Sequence, residues 1–203
     1  TTDKMLPLPG ENITNPSKSA WIKWLKKNGN SLAGGGPQTG NGCAYVSAVM
    51  ATNYNSLSKG NGYAITKRTK DEKYSSGINA YTMESTIPAT YDDVQAEAGR
   101  DKKGGCKSIG KSGNGLKDVK SSIDAGRPVI YLSGFSRYHA RLVIGYEWTQ
   151  VEKFVFVDEV LSSYDLSEGI LKLYSVNPKS PNGLTSINPH KNKGMTRRYF
   201  SCT

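Results

Sequence analysis

Histidine is almost missing from this sequence, with two residues in 203, His139 and His190. Chemistry that needs an imidazole near neutral pH has only these two to draw on. Cysteine is nearly as scarce, at three residues, Cys43, Cys106 and Cys202, which excludes a disulfide-dense scaffold. No CxxC, HExxH or acidic calcium loop occurs, so no metal is expected. No apolar run reaches about 18 residues, so no membrane-spanning helix is expected. Acidic residues are in deficit, 17 against 27 lysines and arginines, for a formal charge of +10. A basic surface suits polyanions such as nucleic acid, teichoic acid, peptidoglycan or anionic lipid. No zinc-finger spacing, RNA-recognition signature or long basic helix accompanies it, so no specific nucleic-acid partner is expected. A leader is missing too: the chain opens on Thr1 with no charged-then-apolar segment, the expectation for a product trimmed from something longer.

What is present is an ordinary globular balance, 36% hydrophobic and 22% charged, enough for one good core. The stretch that stands out is Pro37 to Tyr54, PQTGNGCAYVSAVMATNY. A glycine-rich loop (Gly34, Gly35, Gly36, Gly40, Gly42) runs into Cys43, where a helical apolar pattern begins with Ala44, Val46, Ala48, Val49 and Met50. A cysteine in the first helical turn faces unpaired backbone N–H groups and the positive end of the macrodipole. Both favour the thiolate, so the thiol's pKa is expected to fall, as suits a nucleophile. The bland alternative is a small buried hydrophobe.

Residues 1–14 read as an extended polar arm. Asn15-Pro16 reads as a helix start, with Trp21, Ile22, Trp24 and Leu25 as its apolar stripe and Asn28-Gly29 as its end. Tyr63-Ala64-Ile65 suggests a short strand, 90–98 a helix capped by Thr90, 99–115 a glycine- and lysine-rich loop, and 116–126 an amphipathic helix ended by Gly126. Strands are expected at 127–135, 139–148, 153–160 and 169–176. The second and third should form a hairpin through the short connection 149–152. Residues 177–194 read as a loop rich in Pro, Asn and Gly. Helices precede the sheet, which is α+β segregation. The segment 105–112, GCKSIGKS, fits the phosphate-loop pattern G-x-x-x-x-G-K-S. That motif requires a buried strand before it and a helix at the lysine. Here GRDKKG precedes it and Gly113-Asn114-Gly115 follows, so the match does not imply a nucleotide.

A cysteine nucleophile needs an imidazole to take its proton, and the imidazole needs a carboxylate or amide to fix its tautomer. His139 opens the second expected strand, and His190 lies in the polar loop near the C-terminus. Asp158, nineteen residues after His139, falls on the neighbouring strand of the expected hairpin. Cys106 and Cys202 either form one disulfide, as an exported protein allows, or stay as free thiols.

These pieces together (Gln38, Gly-Cys at a helix start, GRPVIYL, a His-led strand ending in VIGY, then VFVDE) resemble papain-like cysteine peptidases. The similarity is to the C39-like group and to bacterial staphopain- and streptopain-type enzymes, with 116–160 matching the C39-like pattern and 38–54 matching staphopain-like loops. The resemblance implies an α+β papain-like fold, N-terminal helices packed on a mostly antiparallel C-terminal sheet. One domain is expected over 1–203: arm and helix (1–30), helical part with the nucleophile (37–126) and sheet part (127–203). It implies Cys43 as nucleophile, His139 as base, Asp158 as its orienter and Gln38 as an oxyanion donor beside the Cys43 N–H. Gln38 stands one residue closer to the cysteine than the family's usual spacing, which leaves Asn41 as a substitute.

The function so implied is hydrolysis of a protein or peptide substrate through a thioester, without cofactor, by a monomeric secreted bacterial enzyme or toxin domain. Two alternatives stay open. One is a peptidoglycan amidase or endopeptidase with the same thiol chemistry; the other is a non-catalytic basic binding or toxin module on the same scaffold.

Overall fold

Every residue from Cys43 to Ser56 is buried, which makes α2 (Cys43–Ser58) the element around which the others pack. A helix buried all round belongs in a core, and Asn53 and Thr52 of this one find partners there. Asn53 Nδ2 donates to the carbonyls of Leu32 (2.9 Å) and Ile65 (3.0 Å), while its Oδ1 accepts the Ile65 N–H at 2.8 Å. Gln95 Nε2 donates to Thr52 Oγ1 at 2.6 Å. Asn53 thereby holds the stretch expected as a short strand at Tyr63–Ile65, which is irregular instead.

The computed structural model describes residues 1–74, 83–100, 104–111, 115–150, 156–157, 160–161, 169–192 and 194–203. The other helices are α1 (Lys18–Leu32), α3 (Met83–Glu97) and α4 (Gly115–Asp124). Ser17 caps α1, its Oγ accepting the Ala20 N–H at 3.0 Å, so the helix starts two residues after the expected Asn15-Pro16 signal. It runs through Gly29 to Leu32, because Trp21, Leu25, Gly29 and Leu32 form one buried face. A Cβ on Gly29 would lie 2.0 Å from the Pro181 carbonyl oxygen. That glycine is a contact surface and not a stop. Helix α3 likewise begins before Thr90 and contains Pro88, with Ile87, Tyr91 and Val94 supplying its buried stripe.

The strands of the main sheet are β1 (Thr2–Met5), β2 (Cys106–Lys111), β3 (Val129–Gly134), β4 (Tyr138–Trp148), β7 (Ile170–Asn177), β8 (Ser180–Ile187) and β9 (Thr196–Cys202). Their order is β2-β9-β3-β4-β7-β8, antiparallel throughout. β1 pairs with β4 as Thr2↔Trp148 to Met5↔Gly145, continuing the edge of β4 that β3 occupies further along. The expected polar arm is therefore a strand, with Met5, Leu6 and Leu8 buried. β2 and β8 lie in stretches expected as loops, and the phosphate-loop match falls on β2, paired with β9. The disulfide alternative is the one observed: Cys106 and Cys202 face each other across β2 and β9 and are bonded, leaving Cys43 free.

The short β5 (Phe156–Val157) pairs with β6 (Val160–Leu161) outside the main sheet. Among the described residues, the strand beside β4 is thus β7, not the expected 153–160. Helix α2 packs on β4 and β3, α3 on α2, β2 and β9, and α1 on β8. The architecture is α+β, with helices in the N-terminal part and a mostly antiparallel sheet in the C-terminal part.

Candidate active site

The pairing of β7 with β4 reaches only Leu142↔Val176, so Ala140 lies beyond the last strand partner on that edge. Its N–H donates to Cys43 Sγ at 3.4 Å. This contact docks the start of α2 against the start of β4, with the thiol at the residue that follows His139. Where β7 leaves the sheet it turns into β8, and Asn177 at that turn places Oδ1 2.8 Å from His139 Nε2. The same Oδ1 accepts the Lys179 N–H at 3.0 Å, so the amide is held from two sides. With Oδ1 as the acceptor, His139 carries its proton on Nε2. Nδ1 is then unprotonated, the nitrogen left to accept a proton. Among the described residues the imidazole makes no hydrogen bond to the thiol, an arrangement common before substrate is bound.

Cys43 is 4% exposed. Burial pushes its thiol above the ordinary value, while the N–H groups of Ala140, Ala44 and Cys43 itself and the Lys179 charge pull it down. Burial wins, against the expectation drawn from the helix start alone. Burial also pushes the His139 imidazole down; the Asn177 hydrogen bond opposes this, and the Arg141 and Lys179 charges add to it. Both shifts favour the uncharged forms, thiol and neutral imidazole.

The loop before Cys43 is built by one side chain that the sequence reading passed over. Arg68, whose side chain is 7% exposed, donates to the carbonyls of Ala33 (2.6 Å), Gly36 (2.6 Å) and Pro37 (2.8 Å). Its Nε pairs with Asp71 Oδ1 at 2.9 Å, and Asp71 Oδ2 accepts from Thr39 Oγ1 at 3.0 Å. Burial alone would raise the Asp71 carboxyl; the Arg68 fork and the Thr39 hydroxyl outweigh it and hold it below the ordinary value. To turn its carbonyls toward one guanidinium the chain takes φ of 74°, 121° and 137° at Gly34, Gly35 and Gly36, a run that side chains with a Cβ resist. Gln38 follows. Its N–H donates to the Pro178 carbonyl at 2.8 Å, joining this loop to the turn that carries Asn177. Its Nε2 donates to the Gly40 carbonyl at 3.1 Å, and its buried Oε1 has no partner.

Of the residues expected from sequence, Cys43 and His139 thus come together, and Gln38 lies in the loop that meets the Asn177 turn. Asn41 is exposed in the turn before Cys43. Asp158 lies outside the described residues, and the group on the imidazole is Asn177. His190 is held elsewhere, its Nε2 2.8 Å from the Ile170 carbonyl oxygen. Among the described residues no cluster of His, Cys, Asp or Glu could hold a metal, and no helix is long and apolar enough to cross a membrane.

A model of the Peptidase_C39 like family matches residues 20–167, more than two thirds of the chain, and spans both Cys43 and His139. No curated protein and no solved structure matches.

Proposed function

The chain belongs to the Peptidase_C39 like family of cysteine peptidases, with a papain-like α+β fold, and from that premise we propose that it hydrolyses peptide bonds through Cys43, His139 and Asn177. The observation that carries this reading is the joint geometry: thiol sulfur on the Ala140 N–H, and the neighbouring imidazole held by an amide through Nε2. As Sγ attacks the peptide carbonyl carbon, its proton passes to His139 Nδ1 and the carbonyl π pair moves onto oxygen. Collapse of that oxyanion expels the amine, which takes the proton from His139, and leaves an acyl-thioester on Cys43. Water then attacks the thioester, giving a proton to His139 that returns to the sulfur as the acid leaves. Asn177 fixes the tautomer in both halves. The Cys43 N–H at the open start of α2 and the Gln38 amide would meet the oxyanion. Gln38 is free to do so because turning its amide toward substrate gives up only the Gly40 bond, about 1 kcal/mol.

Digestion of labelled casein tests the reading: wild type should cleave it, and Cys43→Ala and His139→Ala should each abolish cleavage. Activity that survives in Cys43→Ala would overturn it.

The substrate reading has a second form, favoured by the charge of +10. Anionic cell-wall polymers would concentrate such an enzyme at peptidoglycan, and digestion of purified walls against casein separates the two. Export fits both. The Cys106–Cys202 bond is the kind that persists outside the reducing cytosol.

A further inference from the structure

Arg68 lies outside the reacting atoms, yet it makes more contacts to the loop before the nucleophile than any cap or turn there requires. The loop 33–39 has no regular structure of its own, and three of its carbonyls converge on this one side chain. The segment bearing Arg68 is itself fixed from the other side. Glu97 of α3 accepts from Thr69 N at 3.1 Å, Thr69 Oγ1 at 2.8 Å and the Tyr45 hydroxyl at 2.7 Å. The Tyr74 ring stacks on Tyr45 at 4.8 Å, and the Tyr74 hydroxyl donates to Asp93. Tyr45 is two residues after Cys43 on α2. The guanidinium is therefore referenced to the nucleophile helix, and it passes that reference to Gln38, whose backbone meets the Asn177 turn.

We propose that Arg68, held by Asp71, is a positioning residue that sets the Gln38 loop at the height where a bound peptide's carbonyl oxygen gathers charge. The inference rests on the peptidase reading above and adds a residue to it. The ion pair joins a buried guanidinium to a partly exposed carboxylate, and such pairs contribute little to stability by themselves. What it supplies is direction: a planar fork with five donors fixes several carbonyls at once, which lysine does not do.

The experiment separates this role from a structural one by pairing a reaction that develops an oxyanion with one that does not. The first is hydrolysis of a quenched fluorescent peptide copied from the casein site that wild type cuts. The second is alkylation of Cys43 by iodoacetamide at the same pH, which needs the thiol and develops no carbonyl oxyanion. In Arg68→Lys, kcat should fall about 10- to 100-fold, less than the ~100- to 1000-fold cost of losing an oxyanion donor outright, with KM within about twofold and the alkylation rate within about twofold. Asp71→Asn, which keeps the guanidinium but removes its anchor, should show the same pattern with a smaller loss, and Gln38→Ala should add little on top of Arg68→Lys. Unchanged kcat in both variants, or alkylation and kcat falling together, would overturn the positioning role while leaving the peptidase reading intact. A wild type that cuts neither casein nor peptidoglycan would overturn both.

Discussion

At the scale of the residue, the pair Cys43–His139 was legible because each signal is local. A cysteine opening a helix after a glycine-rich loop needs no knowledge of the fold, and two histidines leave little choice of base. Asn177 was not legible, because the orienting residue is whichever one the topology brings to His139. Reading 153–160 as the strand beside β4 pointed to Asp158; the strand there is β7, and its last residue is Asn177. Arg68 left no signal either, since a lone arginine in a polar stretch reads as solvated until the carbonyls around it are placed. The protonation pattern gives a test at this scale. Hydrolysis needs neutral His139, and burial lowers its pKa, so the acid limb of kcat/KM should lie below the ordinary histidine value of about 6.5. The Asn177 hydrogen bond opposes that shift, favouring the imidazolium. Its loss in Asn177→Ala should move the limb to still lower pH while kcat falls about 10- to 100-fold, part of the ~10²–10⁴ that a positioned base supplies. A limb that moves upward would contradict the geometry. The pH–rate profile of the two proteins decides.

At the scale of the element, apolar stripes marked the helices well and the ends poorly. Asn28-Gly29 has the composition of a helix stop, yet Gly29 is there to admit the backbone of β8, and nothing within α1 reports that contact. Alanine at this site would gain about 1 kcal/mol of helix propensity. Its Cβ would also meet the Pro181 carbonyl at 2.0 Å and the Asn182 Cα at 2.8 Å, both backbone atoms. Overpacking of that kind costs about 1–3 kcal/mol, more where backbone must move. Gly29→Ala should therefore lower stability by up to about 2 kcal/mol net in urea titration, although it improves the helix; a rise would show that α1 and β8 are not packed as described. Strands β2 and β8 went unread for a related reason. They are the edges of the sheet, and edges carry the lysine, proline and glycine that otherwise signal loops.

At the scale of the whole molecule, α+β segregation was legible from the order of patterns, since the helices precede most of the sheet. The order of the strands was not. β9 lies between β2 and β3, so the last strand in the chain is interior to the sheet. The Cys106–Cys202 bond closes a loop of 96 residues across β2 and β9. A loop of about 100 residues is worth up to about 4.7 kcal/mol by chain entropy, and measured values run at about 2–4. Replacing both cysteines by serine should lower stability by about 2–4 kcal/mol in urea, with Cys43 as reactive as before; no loss would mean that strand pairing alone holds the edge. The same arrangement bears on biogenesis. As the polypeptide emerges from the ribosome or a translocation pore, thiols arrive in the order 43, 106, 202, and the native partner of Cys106 comes last. Until then Cys106 can meet the thiol of Cys43, and a bond between them would take up the proposed nucleophile. Cys43 is buried once β4, synthesised after Cys106 and before Cys202, docks on α2, and from then on that wrong pairing no longer competes with the right one.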